Sequence, residues 1–289
     1  MKKLKTGILG LDSLLDGGFN EHSATILVGS AGTGKTTMAL QFLRKGLENG
    51  TDAIYITLEE PRSQILEEAK SMGWEDIDKY IEQGQLVFLE AAGKDLADFI
   101  KEELPRFVSE WNGSGARIVI DPLTPVIWAN DNKYDQRLLI SQLFKETKRM
   151  GTVLSTIEEH GTTGDMTGGE TIIPMYLADT IVHISNLGMG NRMMSIKKSR
   201  QSWHSESQWP YRFVLGLGIV IDSTGLDGKR TKKIGPELKQ RTYESVMRLS
   251  KENAEQVKNI VKYLERADLG DMEPEQILDM LVEDYKVAQ

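Results

Sequence analysis

Residues 29–36 read Gly-Ser-Ala-Gly-Thr-Gly-Lys-Thr, a full match to the pattern G-x-x-x-x-G-K-[ST]. An apolar, β-rich run (Ser23–Val28) precedes it, and a helix-period segment, Lys35–Asn49, follows and stops at Gly50. The glycines let backbone N–H groups turn inward at a helix N-terminus, whose dipole favours anions. Lys35 brings a mobile positive charge toward the β- and γ-phosphates, and the Thr36 hydroxyl is a hard oxygen ligand suited to Mg²⁺. A glycine-rich turn that merely caps a helix is the competing reading, and the flanks together with the lysine on the first helical turn argue against it. Ser30, Ala31, Gly32, Thr33, Gly34, Lys35, Thr36 and Thr37 are therefore expected to cradle a nucleoside triphosphate.

The rest of the chain supplies the fold that such a loop needs. Strand-like runs at Ala53–Leu58, Gln85–Glu90, Ala116–Asp121 and Thr152–Ile157 alternate with helix-period segments near Pro61–Met72, Leu96–Trp111 and Tyr134–Met150. Helices of that length between strands imply βαβ crossovers and a largely parallel sheet. After Gly169 the rhythm changes. Thr180–Ser185, Met193–Lys198, Tyr211–Leu215 and Ile219–Ile221 are short runs joined by polar or glycine-rich turns, which predicts antiparallel hairpins.

From Pro236 the composition shifts to charged helix formers. Val246, Leu249, Val257, Ile260, Val261 and Leu264 form an apolar stripe, and a break at Gly270-Asp271 leads to a second helix with Ile277, Leu278, Leu281 and Tyr285. The expectation is an α/β domain over residues 1–235 and a helical appendage over 236–289, whose stripe is a docking surface for an unknown protein partner or for the chain itself.

Composition narrows the class further. The 289 residues include 35 Lys and Arg, 43 Asp and Glu, and no cysteine, which excludes disulfides, thiolate zinc sites and a cysteine nucleophile. Net charge −8 argues against duplex DNA binding driven by the whole surface. No run approaches the ~20 apolar residues of a membrane span, and Asp12 and Asp16 interrupt what a signal peptide would need, so a soluble cytoplasmic chain is expected.

Carboxylates at strand ends complete the chemistry. Asp121 ends a clean apolar strand, where ligands of open α/β sheets sit, and is expected to hold Mg²⁺ through water together with Thr36. A plain turn aspartate before Pro122 is the alternative. Glu59 and Glu60 close the preceding strand. Glu59 is read as the base that activates water, with Glu60 assisting, although both also suit the first turn of a helix beginning at Pro61.

These stretches in order resemble the KaiC-like branch of RecA-type ATPases: Thr6-Gly7-Ile8 through Leu14-Leu15-Asp16-Gly17-Gly18, Ile56-Thr57-Leu58-Glu59-Glu60, Ser71-Met72-Gly73-Trp74, Ile118-Val119-Ile120-Asp121 and Lys198-Ser199-Arg200-Gln201-Ser202-Trp203-His204. The double glutamate with K-x-R-x-x-x-H is the more specific part. The resemblance, over roughly residues 5–222, implies a RecA-type fold, ATP as the nucleotide and hexamers with ATP between subunits. By the same analogy Lys198, Arg200 and His204 reach the γ-phosphate bound by a neighbouring subunit, and Thr156 occupies a polar sensor position. Read without the analogy, the cationic cluster also fits a solvated basic turn, and Thr156 an ordinary strand residue. The clock members carry two such domains and a Ser-Thr phosphoacceptor pair. Here one phosphate loop is present and Met175-Tyr176 precede Ala178-Asp179-Thr180, so clock-type autophosphorylation is not expected.

Three function classes compete: a regulatory or signalling ATPase, a DNA-handling recombinase or motor of the RecA/RadA or DnaB type, and a nucleotide sensor without hydrolysis. The second would use His160–Glu170 as a pore loop. That segment has four glycines and no Lys or Arg, unlike loops that track a nucleic-acid backbone. The third would not need Lys35, Asp121 and Glu59 together. The first is the preferred reading.

Overall fold

Runs of Val, Ile and Leu bounded by turn residues make strands buried on both faces, and these build the centre of the molecule. The computed structural model describes residues 2–91, 96–129, 132–159, 169–188, 190–223, 234–246, 249, 251–264 and 273–285. A small antiparallel pair, β1 (Lys3–Leu4) and β2 (Phe19–Asn20), opens the chain. The main sheet comprises β3 (Ala24–Gly29), β4 (Ala53–Thr57), β5 (Leu86–Glu90), β6 (Ala116–Asp121), β7 (Gly151–Glu158), β8 (Thr180–Asn186), β9 (Arg192–Ser199), β10 (Gln208–Val214) and β11 (Gly218–Ile221). Its order is β11-β10-β9-β8-β3-β7-β6-β4-β5. The strands from β8 to β5 run parallel, and β9, β10 and β11 continue the sheet antiparallel. Sequence and structure agree on this division.

Side chains alternate between two cores. Leu27, Tyr55, Val119, Leu154 and Val182 face the helix Lys35–Glu48 and the chain's first twenty residues. Ile26, Ile54, Ile56, Ile118, Ile120 and Val153 face the helices Leu104–Trp111 and Lys133–Met150 on the other side. The sheet is therefore covered on both faces, as a mainly parallel sheet requires.

Two helical expectations need revision. The segment expected as one helix, Leu96–Trp111, contains a π-turn at Phe99–Glu103 before the helix Leu104–Trp111. Pro105 has no N–H for the carbonyl one turn back, so the ladder widens there. The stripe from Val246 to Leu264 is shared by two helices, Pro236–Val246 and Lys251–Leu264, rather than lying on one.

With the helix Pro274–Tyr285, these C-terminal helices enclose a third core. Val257, Ile260, Val261, Ile277, Leu278 and Leu281 pack with Leu9, Val214, Leu217 and Val220. Polar contacts reach the helix Lys35–Glu48: Lys45 pairs with Asp284 at 2.8 Å, and the Tyr285 hydroxyl donates to Glu48 at 3.0 Å. Of the stretch His160–Glu170, residues 160–168 lie outside the described residues, and Gly169 and Glu170 open the helix Gly169–Leu177.

Candidate functional site

β3 is flanked by β8 and β7 in mid-sheet, and the loop that leaves its carboxyl end turns directly into the helix Lys35–Glu48. Two glycines make the turn possible. Gly32 has φ +72° with open space where a Cβ would stand, and Gly34 has φ +96° with Phe213 only 2.5 Å from that position. A side chain at Gly34 would collide with the ring as well as strain the backbone. The loop is braced from within and from outside. Thr33 donates its hydroxyl to the Ser30 carbonyl at 2.7 Å, and the buried Tyr211 hydroxyl donates to the Thr33 carbonyl at 2.7 Å.

Lys35 Nζ donates to the Gly29 and Ser30 carbonyls, both at 2.9 Å. Burial lowers its pKa, while Glu158, Asp121 and Glu159 pull the other way. Ala31, Gly32, Lys35, Thr36, Glu59, Glu60, Asp121 and Glu158 line one cleft. Ala31, Gly32, Lys35 and Thr36 of the loop thus meet the three strand-end carboxylates in one place, while Ser30, Thr33 and Gly34 do not line it. Thr37 is buried and does not line the cleft; its hydroxyl donates at 2.7 Å to Glu68, a carboxylate close enough to Glu60 to raise its pKa.

Asp121 is held at both carboxylate oxygens: the Thr156 hydroxyl donates to Oδ1 and the Tyr55 phenol to Oδ2. Register explains this. Thr57 pairs with Asp121, so Tyr55 stands on the same face two residues back. Ile120 pairs with Ser155, which sets Asp121 beside Thr156. The Thr57 hydroxyl donates to the Glu60 carbonyl and closes the turn that carries both glutamates. Glu59 is exposed and Glu60 half-buried. Burial raises the Glu60 pKa, and Asp121, Glu68 and Glu59 raise it further. Burial also raises that of Glu68, against the Thr37 hydrogen bond. This surplus of negative charge is what a divalent cation would offset, and Thr36 and Asp121 are the oxygen donors that suit Mg²⁺.

Lys198, Arg200 and His204 lie outside the cleft. Lys198 Nζ donates to the carbonyls of Met175 at 2.9 Å, Tyr176 at 3.3 Å and Ala178 at 2.6 Å, closing the end of the helix Gly169–Leu177. Arg200 donates to the Tyr176 carbonyl at 2.8 Å and stands 3.9 Å from Asp179. His204 Nδ1 is 3.2 Å from the Ser205 carbonyl. Because Ser199 pairs with Thr180, and Thr180 with Thr25, this cluster sits at the amino edge of the parallel strands. Gly29 is four residues further along β3, about 13 Å away.

A family model described as "ATPase: KaiC" matches residues 4–225, which include the loop, both glutamates, Asp121 and the K-x-R-x-x-x-H segment. The chain belongs to the KaiC ATPase family. The circadian clock protein KaiC3 of Synechocystis sp. is 29% identical over 244 residues, covering 76% of this chain and 46% of that protein. The circadian clock oscillator protein KaiC of Parasynechococcus marenigrum is 30% identical over 243 residues, 78% of this chain and 46% of that one. This KaiC-like chain spans just under half the length of these curated relatives. A crystal structure of a KaiC-like protein from Pyrococcus horikoshii OT3 superposes with TM-score 0.63 at 28% identity, covering 76% of this chain and 98% of that one.

Three residues of this KaiC-like site escape the motif reading. Glu158 lines the cleft and shares the face of Thr156, two residues before it on β7; that alternation was the available signal. Glu68 interrupts the apolar stripe between Ile65 and Ala69, a carboxylate on a buried helix face. Tyr55 carries no such signal, because a tyrosine in an apolar strand reads as core.

Proposed function

We propose that the chain binds ATP with Mg²⁺ and hydrolyses it, acting as a regulatory or signalling ATPase whose subunits join in rings through shared nucleotide sites. The observation that carries this reading is the convergence of Lys35, Thr36, Asp121 and the Glu59-Glu60 pair on one cleft at the carboxyl edge of the sheet. In this reading the loop N–H groups and Lys35 hold the phosphates, Thr36 is a direct Mg²⁺ ligand and Asp121 acts through water. Held by these residues, Mg²⁺ would neutralise phosphate charge. Glu59, exposed at the mouth, takes the proton from the attacking water, and the Thr57–Glu60 hydrogen bond fixes the turn that aims it.

Lys198 and Arg200 cannot reach their own loop across the sheet, which supports their assignment to a neighbour's γ-phosphate. Among the described residues no helix is long and apolar enough to cross a membrane.

The test is nucleotide binding and phosphate release on purified protein. Lys35→Ala is expected to lose ATP binding. Glu59→Gln is expected to keep binding while turnover falls roughly 10²–10⁴-fold, the usual worth of a general base. Undiminished ATP affinity in Lys35→Ala would overturn the assignment, and turnover that depends on single-stranded DNA would favour the motor reading instead.

A further inference from the structure

We propose that Tyr55 is a positioning residue for the metal site: its phenol fixes the Asp121 carboxylate in the orientation from which that group holds the nucleotide's Mg²⁺. This rests on the ATP–Mg²⁺ reading above and extends it to a residue that touches neither nucleotide nor metal.

A buried strand tyrosine needs packing for its ring and a partner for its hydroxyl. Tyr55 is completely buried in β4 and stacks on Phe88, with ring centroids 5.3 Å apart and 19° between planes. A phenylalanine would satisfy that packing equally well. The hydroxyl is the part packing does not require, and buried hydroxyls are costly unless bonded. Its partner is Asp121 Oδ2.

An aspartate's outer torsion is broad and turns easily, so one hydrogen bond leaves the carboxylate plane poorly defined. Here Thr156 holds Oδ1 from the neighbouring strand β7 and Tyr55 holds Oδ2 from β4, on the opposite side of β6. Two donors on rigid strands fix the plane. Each oxygen keeps lone-pair capacity for a metal-bound water, so the clamp orients Asp121 without using it up. Partners that orient metal-holding groups in this way typically account for 10–100-fold in metal affinity or activity.

The experiment follows binding of a fluorescent ATP analogue to the full chain, first in EDTA and then titrated with Mg²⁺. Four chains are compared: wild type, Tyr55→Phe, Asp121→Ala and the double variant. Tyr55→Phe should match wild type within about twofold without metal, and need roughly tenfold more Mg²⁺ at the midpoint. In the Asp121→Ala background the same change should move the midpoint no further, because the phenol acts through that carboxylate. An unchanged midpoint in Tyr55→Phe, or an equal shift in both backgrounds, overturns the proposal. If Tyr55→Phe folds poorly, adding Asp121→Ala should restore the fold by removing the unpaired carboxylate, and failure to do so also overturns it. A wild type that does not bind the probe, or binds it without regard to Mg²⁺, removes the ATP–Mg²⁺ reading and this proposal together, and is recognised before any variant is measured.

Discussion

The Tyr211 hydroxyl donates to the Thr33 carbonyl at 2.7 Å, and so ties the phosphate loop to a strand in the antiparallel part of the sheet. Burial pushes that phenol up to about 12, which keeps it a donor across the physiological range. The loop must present its N–H groups in one arrangement, and this bond reaches it from outside. Tyr211→Phe preserves the ring beside Phe213 and removes only the bond. It should cost about 1 kcal/mol of stability in a denaturant titration and weaken nucleotide binding several-fold. Full affinity in that variant would show that the loop holds its shape without the tie.

A second prediction follows from where the cations lie. Arg200 sits at the amino edge of the parallel strands and Glu59 at the carboxyl edge. A site completed by a neighbour lets two inactive chains repair each other. Mixing Arg200→Ala with Glu59→Gln should restore part of the phosphate release, because one interface in the mixture then combines an intact Glu59 with an intact Arg200. No rescue at any ratio, with subunit exchange demonstrated, would end the assignment in trans.

Much of this site is legible in the sequence because its parts are local. The loop is eight consecutive residues, and Asp121, Glu59 and Glu60 declare themselves by closing apolar strands. What is not legible depends on register between strands far apart in the chain. The pairing of Thr57 with Asp121 places Tyr55 under that carboxylate, and no spacing in either segment announces it. The same holds for the C-terminal helices. Their apolar stripes are plain from residue 236 onward, but the surface they cover is assembled from Leu9, Val214, Leu217 and Val220 in separate segments. The π-turn at Phe99–Glu103 is half legible: Pro105, inside the segment read as one helix, announces a disturbed ladder, but not that the ladder widens instead of breaking.

The C-terminal helices give a third prediction. Lys45 is 5% exposed and pairs with Asp284 at 2.8 Å, with its ammonium 4.0 Å from the centre of the Tyr285 ring. Lys45→Met leaves Asp284 facing an apolar group, and breaking a buried pair from one side costs about 3–5 kcal/mol. The double variant Lys45→Met/Asp284→Leu should recover most of that loss in thermal or urea unfolding. Nucleotide affinity should hold in all of them, because Lys45 lies ten residues beyond Lys35, about 15 Å along the helix. Equal destabilisation in single and double variants would mean that the pair is not what holds the last helix down.

The last prediction concerns pH and Asp12. This carboxylate accepts from the Thr6 N–H at 2.9 Å and the Thr6 hydroxyl at 2.7 Å, with Lys5 at 3.7 Å. Burial, reinforced by Asp284, raises its pKa from 3.8 to about 6, against the opposing pull of Thr6 and Lys5. Between those two values the folded chain keeps a proton that the unfolded chain has already lost. The unfolded state therefore binds fewer protons, so this group makes stability fall as pH rises through the window and leaves it flat above about 6. The shift corresponds to at most about 3 kcal/mol. Asp12→Asn keeps an acceptor for Thr6 and cannot ionise, so it should lack this slope. Measured by urea unfolding at about pH 4, 5, 6 and 7, the variant should gain steadily on wild type and then stay level. Parallel curves for the two proteins would place the Asp12 proton elsewhere and refute the linkage.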